Sequence, residues 1–381
     1  MESKKLKESL IFLVCFIGFF TYVGSVMGLA NMFNTMMNTA YDLLLNTVFN
    51  IMAITVLAGA ISGLFSEFGV VDLLNKLLAP LMKPLYDMPG VAALGIVTTY
   101  LSDNPAVLLL NEDEQYTKHF KRYQIPALAN LGTSFGMGLI TTIFIIGLHD
   151  ATHENFALPA LIGNISAVFG SIISTRLILS KCKKAYGTSD PAPTPKKAKN
   201  EDEADKGGVV VRLINAALNG GKSGVDLGLS IIPGVLIICT LVMMLTNGPT
   251  NGVYTGAAYE GTGLLTFVGD KLKFILVPLF GISSSKAVSV IITSLGAAGA
   301  AIGMLPNMLE NAVISANDIA VITAVCICWS GFLSTHIAMM DSLHERGLTG
   351  AAVTSHAIGG LCAGIIANII VRILALFAIV I

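Results

Sequence analysis

An all-α, polytopic membrane fold is predicted for this chain, with two inverted repeats, about seven full spans and two re-entrant helical hairpins. Three observations predict it. The 381 residues are 54% hydrophobic and only 12% charged, with a mean hydropathy of +0.75, whereas a soluble protein carries about 25% charged residues. Apolar runs of about 20 residues recur along the chain, each long enough to cross ~30 Å of hydrocarbon as a helix. Two further segments have spanning length but the wrong composition, and they hold corresponding places in two weakly similar halves.

The first run, residues 10–30, follows Lys4, Lys5 and Lys7 like a signal peptide. Its apolar stretch is long and no clear small-x-small cleavage site follows, so it reads as an uncleaved span. Residues 31–47 carry no Lys or Arg and read as an outer loop. Further runs lie at 48–68, 124–148, 157–180, 226–246, 319–340 and 355–380. None shows strand alternation, so the spans are helical rather than barrel strands. Residues 70–88 and 209–218 read as amphipathic helices at the membrane surface. Residues 185–208 (AYGTSDPAPTPKKAKNEDEADKGG) are too polar to build a core and are expected to form a disordered cytoplasmic linker. The units are therefore 1–47 (N-terminal span and outer loop), 48–184 (first repeat), 185–208 (linker) and 209–381 (second repeat). The six cysteines lie mostly inside spans, so no disulfide framework is implied. A net charge of −1 gives no expectation of a nucleic-acid partner.

The first odd segment, residues 90–110, reads GVAALGIVTTYLSDNPAVLLL, with Ser102, Asp103, Asn104 and Pro105 in its middle. The second, residues 286–305, reads KAVSVIITSLGAAGAAIGML and is broken by Thr293, Ser294, Gly296 and Gly299. If both crossed the bilayer, KHFKRY at 118–123 and the lysine-rich 181–223 loop would lie outside, against the positive-inside rule. If each enters and returns on its own side, every basic loop lies inside except Lys271, Lys273 and Lys286. The N-terminus is then cytoplasmic and the C-terminus outside. Irregular backbone at membrane depth is tolerated only where protein or a water cavity covers it.

The halves share more than these segments. Leu77-Leu78-Ala79-Pro80-Leu81 is similar to Ile275-Leu276-Val277-Pro278-Leu279. Gly163 and Arg176 match Gly359 and Arg372 at one constant offset. Three full crossings per half is odd, so the copies are inverted relative to each other. Paired, Gly/Pro-interrupted segments in such a chain point to a binding site at mid-bilayer.

Together these features resemble the nucleoside-recognition, or Gate, domain family of bacterial membrane proteins. The resemblance rests on L-x-P-L followed by a small-residue-rich hairpin, at 78–110 and 276–305, and covers roughly residues 48–380. It is similar to the repeats of concentrative nucleoside transporters, of the membrane part of ferrous-iron permeases and of spore maturation proteins. It implies that hairpin tips and breaks in the following spans bind the solute, which implicates Ser102, Asp103, Asn104, Thr293 and Ser294. The Gln/Glu-rich tips of true nucleoside transporters and the GTP-binding domain of iron permeases have no counterpart here.

The residues themselves suggest the same places. An intramembrane carboxylate is costly, and Asp103 is expected to bind Na⁺ or H⁺ as coupling ion, or else to cap the hairpin turn. The span after the first hairpin carries Asn130, Thr133 and Ser134 among glycines, and its partner carries Trp329, Ser330 and Ser334. Either these are broken helices facing a cavity or the small residues pack helices. Trp329 either stacks on a planar solute or packs. Cys326, Cys328 and His336 raise a metal reading. However, C-x-C on a helix sets the thiols about 200° apart, and Cys326 and His336 are about 15 Å apart along an unbroken axis, so no metal site is expected. Lys286 either holds an anion at a helix start or snorkels. His149 with His153, and His344-Glu345-Arg346, read as solvated loop charges. Asn164, His356 and Asn368 are expected to bond between helices.

No nucleophile triad, phosphate loop or dinucleotide motif is present, so no enzyme is expected. The leading reading is a secondary transporter in the bacterial inner membrane. It would take a small polar, nucleoside-like solute between the two hairpin tips, with Na⁺ or H⁺ coupling and no cofactor. The lipid bilayer, the solute and further copies of the chain in a homo-oligomer are the expected partners. The alternatives are a divalent-metal permease of the ferrous-iron type and a non-transporting membrane scaffold or regulator.

Overall fold

The computed structural model describes residues 2–104, 106–111, 114–150, 155–193, 208–250, 252–282 and 284–377, apart from the side chains of residues 2–4, 109 and 334. Every regular element among them is helical. Six helical runs are long and apolar enough to cross a membrane: Lys5–Met27, Leu29–Glu67, Arg122–Gly147, Ala157–Tyr186, Val209–Thr246 and Arg346–Leu376. The expected run at 319–340 is interrupted. The all-α polytopic class is the one observed.

Helix α1 (Glu2–Met27) turns at Gly28, whose φ of 81° lets the chain enter α2 (Leu29–Asp42) at once. A wide turn over Leu43–Val48 joins α2 to α3 (Phe49–Glu67). Residues 31–47, expected to be an outer loop, are therefore helical. Their uncharged polar side chains pair with protein rather than water: Asn31 donates to Tyr254 O at 3.1 Å and Asn38 to Gly256 O at 2.8 Å. The amphipathic α4 (Val70–Leu81) carries Pro80 in its last turn. Next come the first hairpin, α5 (Ala92–Leu101) and α6 (Ala106–Asn111), the short α7 (Glu114–Thr117), and a broken span, α8 (Ala127–Thr133) and α9 (Gly138–Gly147). The long α10 (Ala157–Tyr186) closes the half.

In the second half, α11 (Val209–Ser230) continues without separation through 231–239 into α12 (Thr240–Thr246), a single run of 38 residues. The expected separate surface helix at 209–218 is instead the beginning of this run. Its glycines press on α3. A methyl group on Gly220 would lie 2.1 Å from Gly59 O, and one on Gly224 would lie 2.2 Å from Thr55 O. Thr55 Oγ1 donates to Gly224 O across the crossing at 2.6 Å. Small residues let backbones meet where no hydrophobic effect drives association. We predict that Gly220→Leu separates the pair and costs at least the ~1–3 kcal/mol of ordinary overpacking. A melt in detergent checks this, and an unchanged midpoint would refute it.

The rest of the half repeats the first. The helix α13 (Leu264–Phe280) holds Pro278 near its end. The second hairpin is α14 (Ala287–Ser294) and α15 (Ala298–Gly303), followed by α16 (Leu305–Glu310). A second broken span, α17 (Ala316–Cys328) and α18 (Ser334–Ser342), leads to α19 (Thr349–Leu376). The matched arginines both donate to backbone carbonyls near a helix end. Arg176 of α10 donates to Leu85 O at 2.5 Å and to Pro84 O, just beyond α4. Arg372 of α19 donates to Val277 O of α13 at 3.3 Å, and its neighbour Asn368 to Leu279 O at 2.9 Å. Each bonds carbonyls near a helix end, and Val277 O also accepts from Gly281 N at 2.8 Å. The core lies where α10, α17 and α19 pack together; every α17 residue except Asn317 is buried.

At the basic end, the start of the expected disordered linker is held in place. Arg122 N donates to Asp190 O at 2.8 Å and Ala192 N to Phe120 O at 3.1 Å. Residues 194–207 lie outside the described residues, as does His153. Glu345, expected to be solvated, is 2% exposed. Its carboxylate pairs with Arg122 and accepts from Tyr186 OH at 2.7 Å, and the Arg122 guanidinium stacks 4.2 Å from the Tyr186 ring. This ties the loop after the first hairpin, the end of α10 and the loop after α18 into one knot.

Candidate functional site at the helix breaks

The first hairpin turns because Asp and Asn side chains mimic backbone turns. Asn104 N donates to Asp103 Oδ1 at 2.7 Å, and Ala106 N donates to Asp103 O at 3.0 Å. Asp103 thus shapes the tip; Pro105 lies outside the described residues. Asn104 is buried and enters a slot between the two broken spans. A methyl on Gly136 would lie 1.9 Å from its Oδ1, and one on Gly331 would lie 2.6 Å from its Nδ2. Ser330 Oγ lies 2.8 Å from Asn104 Oδ1 and 3.1 Å from Thr133 O. The first tip and both helix breaks therefore meet at one point.

A buried polar chain continues from there. Asn130 donates to Ser174 Oγ at 2.9 Å and to Ala352 O at 3.1 Å. Its Oδ1 is then an acceptor, facing His336 Nε2 at 3.1 Å. By this pattern Nε2 carries the His336 proton, and Nδ1 faces Thr133 Oγ1 at 3.0 Å, a hydroxyl whose one proton is also within reach of Ala129 O at 2.7 Å. Ser174 Oγ also lies 2.9 Å from His356 Nδ1, while His356 Nε2 has no partner among the described residues. The two imidazoles stand 4.8 Å apart.

The sequence-predicted residues divide. Asn104, Asn130, Thr133 and Ser330 are brought together. Ser134 lies beside them and donates to Asn130 O at 2.7 Å. Ser102 is exposed and lines a different space, a cavity of about 280 Å³ between the first hairpin and the α3–α11 crossing, with hydroxyls of Thr55, Ser62, Ser66, Thr98 and Ser223. Thr293 and Ser294 use their hydroxyls inside α14, on Ser289 O and Ile291 O, each at 2.7 Å. The second hairpin reaches the junction through apolar contacts instead: Ile291 and Leu295 pack on Val325, Trp329 and Phe332. Trp329 is buried, stacked 5.3 Å from Phe332, with Nε1 donating to His356 O at 3.0 Å. The Ser334 side chain lies outside the described residues.

His336, His356 and Ser174 are members of the cluster that sequence reasoning did not assign to it. Their common depth on three spans was the available signal. Cys326, Cys328 and His336 do not converge, and no group of three or more His, Cys, Asp or Glu side chains forms among the described residues. Both ring nitrogens of His336 are engaged by Thr133 and Asn130, which removes the geometric basis of the metal reading. Asn164 and Asn368 bond between helices as expected.

Solved structures share this fold. An outward-facing variant of the concentrative nucleoside transporter CNTnw superposes with a TM-score of 0.58 at 14% identity, covering 97% of this chain and 86% of that one. The fold is nucleoside-transporter-like. Inward-facing, substrate-bound CNTnw gives a TM-score of 0.55 at 12% identity over 96% of this chain and 86% of that chain. An intermediate state gives 0.57 at 14% identity over 96% and 85%. No protein-family model matches the sequence, and no curated protein matches it.

Proposed function

We propose that this protein is a secondary transporter of a small polar, nucleoside-like solute in the bacterial inner membrane, with its N-terminus in the cytoplasm. One observation carries the reading: the first hairpin tip and both interrupted spans meet at Asn104, Thr133 and Ser330, deep in a fold shared with a transporter solved in outward, inward and intermediate states. Broken helices leave backbone groups free to bind a solute or an ion. The hydroxyl-lined cavity beside Ser102 gives a polar solute room next to that junction. Asp103, at the tip, is the group we assign to coupling with Na⁺ or H⁺.

The test is uptake of tritiated uridine and of other small polar solutes into proteoliposomes under imposed Na⁺ or proton gradients. We expect accumulation that follows one gradient, and Asp103→Asn to retain exchange but lose at least tenfold of the gradient-driven uptake. Ion dependence unchanged in the variant would reject the coupling role. No flux of any solute would reject the transporter reading.

A further inference from the structure

Lys286 sits immediately before α14, at the mouth of the second hairpin, and none of the described ion pairs or hydrogen bonds engages its ammonium. It faces a cavity of about 300 Å³ lined also by Asn307 of α16, by Asn311 just after that helix, and by Asn247, Thr250 and Tyr259 of the loop before α13. Lys286 is the one charged side chain in that lining. The Asn307 amide likewise has no described hydrogen-bond partner, while Asn247 Nδ2 is used on Tyr259 O at 2.8 Å.

The loop wall is built in advance. The Glu260 carboxylate, 1% exposed, accepts from Thr255 N at 3.0 Å, Thr255 Oγ1 at 3.0 Å and Gly256 N at 2.9 Å. Burial opposes its ionisation, but these donors outweigh burial and hold it below the usual carboxylate range. Tyr259 N donates to Thr39 Oγ1 at 2.8 Å, and Tyr259 OH donates to Asp42, fixing the loop on α2. The nearby acids Asp42 and Glu260 are thus already engaged, and Glu310 is exposed and outside the lining. A rigid polar wall facing an unpaired ammonium costs little to organise around a ligand. A cation there gains charge-assisted hydrogen bonds from an anion's oxygens.

We propose that this cavity binds a small oxyanion, the phosphate or carboxylate group of a free solute or of a lipid headgroup, held by Lys286 and Asn307. The bound group lies between the loop anchored on α2 and the second hairpin, which line the same cavity. The site is independent of which solute the helix breaks hold.

The test is the thermal midpoint of the full chain in detergent against inorganic phosphate, at constant ionic strength with chloride as control. A second arm uses nanodiscs of phosphatidylcholine with and without phosphatidylglycerol. We expect a saturable rise with phosphate, weakened at least tenfold in half-saturation by Lys286→Gln and by Asn307→Leu and retained by Lys286→Arg. A rise confined to phosphatidylglycerol nanodiscs and lost in Lys286→Gln assigns the headgroup as the source. No saturable rise in either arm, or equal rises in wild type and Lys286→Gln, overturns the proposal.

Discussion

Gly136→Ala is expected to cut solute uptake at least tenfold and lower the thermal midpoint by several degrees. The added methyl would lie 1.9 Å from Asn104 Oδ1, and Asn104 is a buried wedge between Gly136 and Gly331 rather than a flexible surface side chain. Overpacking of this kind costs about 1–3 kcal/mol, and relief comes only by expelling the tip. Expulsion strips Ser330 of its 2.8 Å bond to the amide oxygen. A second change separates sterics from chemistry: Asn104→Ala added to Gly136→Ala should restore much of the stability and none of the uptake, since contacting sites are not additive. Wild-type uptake and melting in Gly136→Ala would show that the tip does not sit in this slot.

The second large effect is expected at the basic end. Glu345→Ala leaves Arg122 and Tyr186 without their shared carboxylate, whose side chain is 1% exposed while that of Arg122 is 27% exposed. Removing one partner of a fully buried pair costs about 3–5 kcal/mol. Partial exposure of Arg122 lowers the expectation to about 2 kcal/mol. The double variant Arg122→Leu with Glu345→Leu should recover most of the loss, because the penalty comes chiefly from the charge left behind. Chemical or thermal unfolding of the three proteins in one detergent reads this directly, and equal losses in single and double variants would contradict it.

The sequence was most legible where one physical constraint dominates. Membrane thickness sets helix length, so six of the expected runs overlap the six long apolar helices, one run to each. Pro80 and Pro278, followed by small-residue breaks, marked both hairpins. Arg176 and Arg372 marked the duplication, and in the structure each donates to a backbone carbonyl near a helix end. Legibility failed where a residue's partner is distant in sequence. Residues 31–47 looked like a loop because they carry no Lys or Arg, yet their amides pair with residues near 254–256. Glu345 looked solvated because its partner Arg122 precedes it by more than two hundred residues. At the site, Asn104, Asn130, Thr133 and Ser330 were legible as polar groups inside apolar runs. Thr293 and Ser294 had the same signature, but a hydroxyl on a helix can satisfy itself on the preceding turn. His336 suggested metal because a buried imidazole suits several partners, and only the positions of Asn130 and Thr133 select among them.

The α3–α11 crossing has a mechanical consequence. Where Gly59 and Gly63 meet Gly220 and Gly224, no side chain stands between the two backbones. At these contacts there are no rotamers to change, so sliding one backbone along the other meets main chain directly. The helical hydrogen-bond ladder is open instead at residues 134–137 and 329–333. A hinge is therefore expected at the open ladders beside Asn104, Thr133 and Ser330 rather than at the glycine crossing.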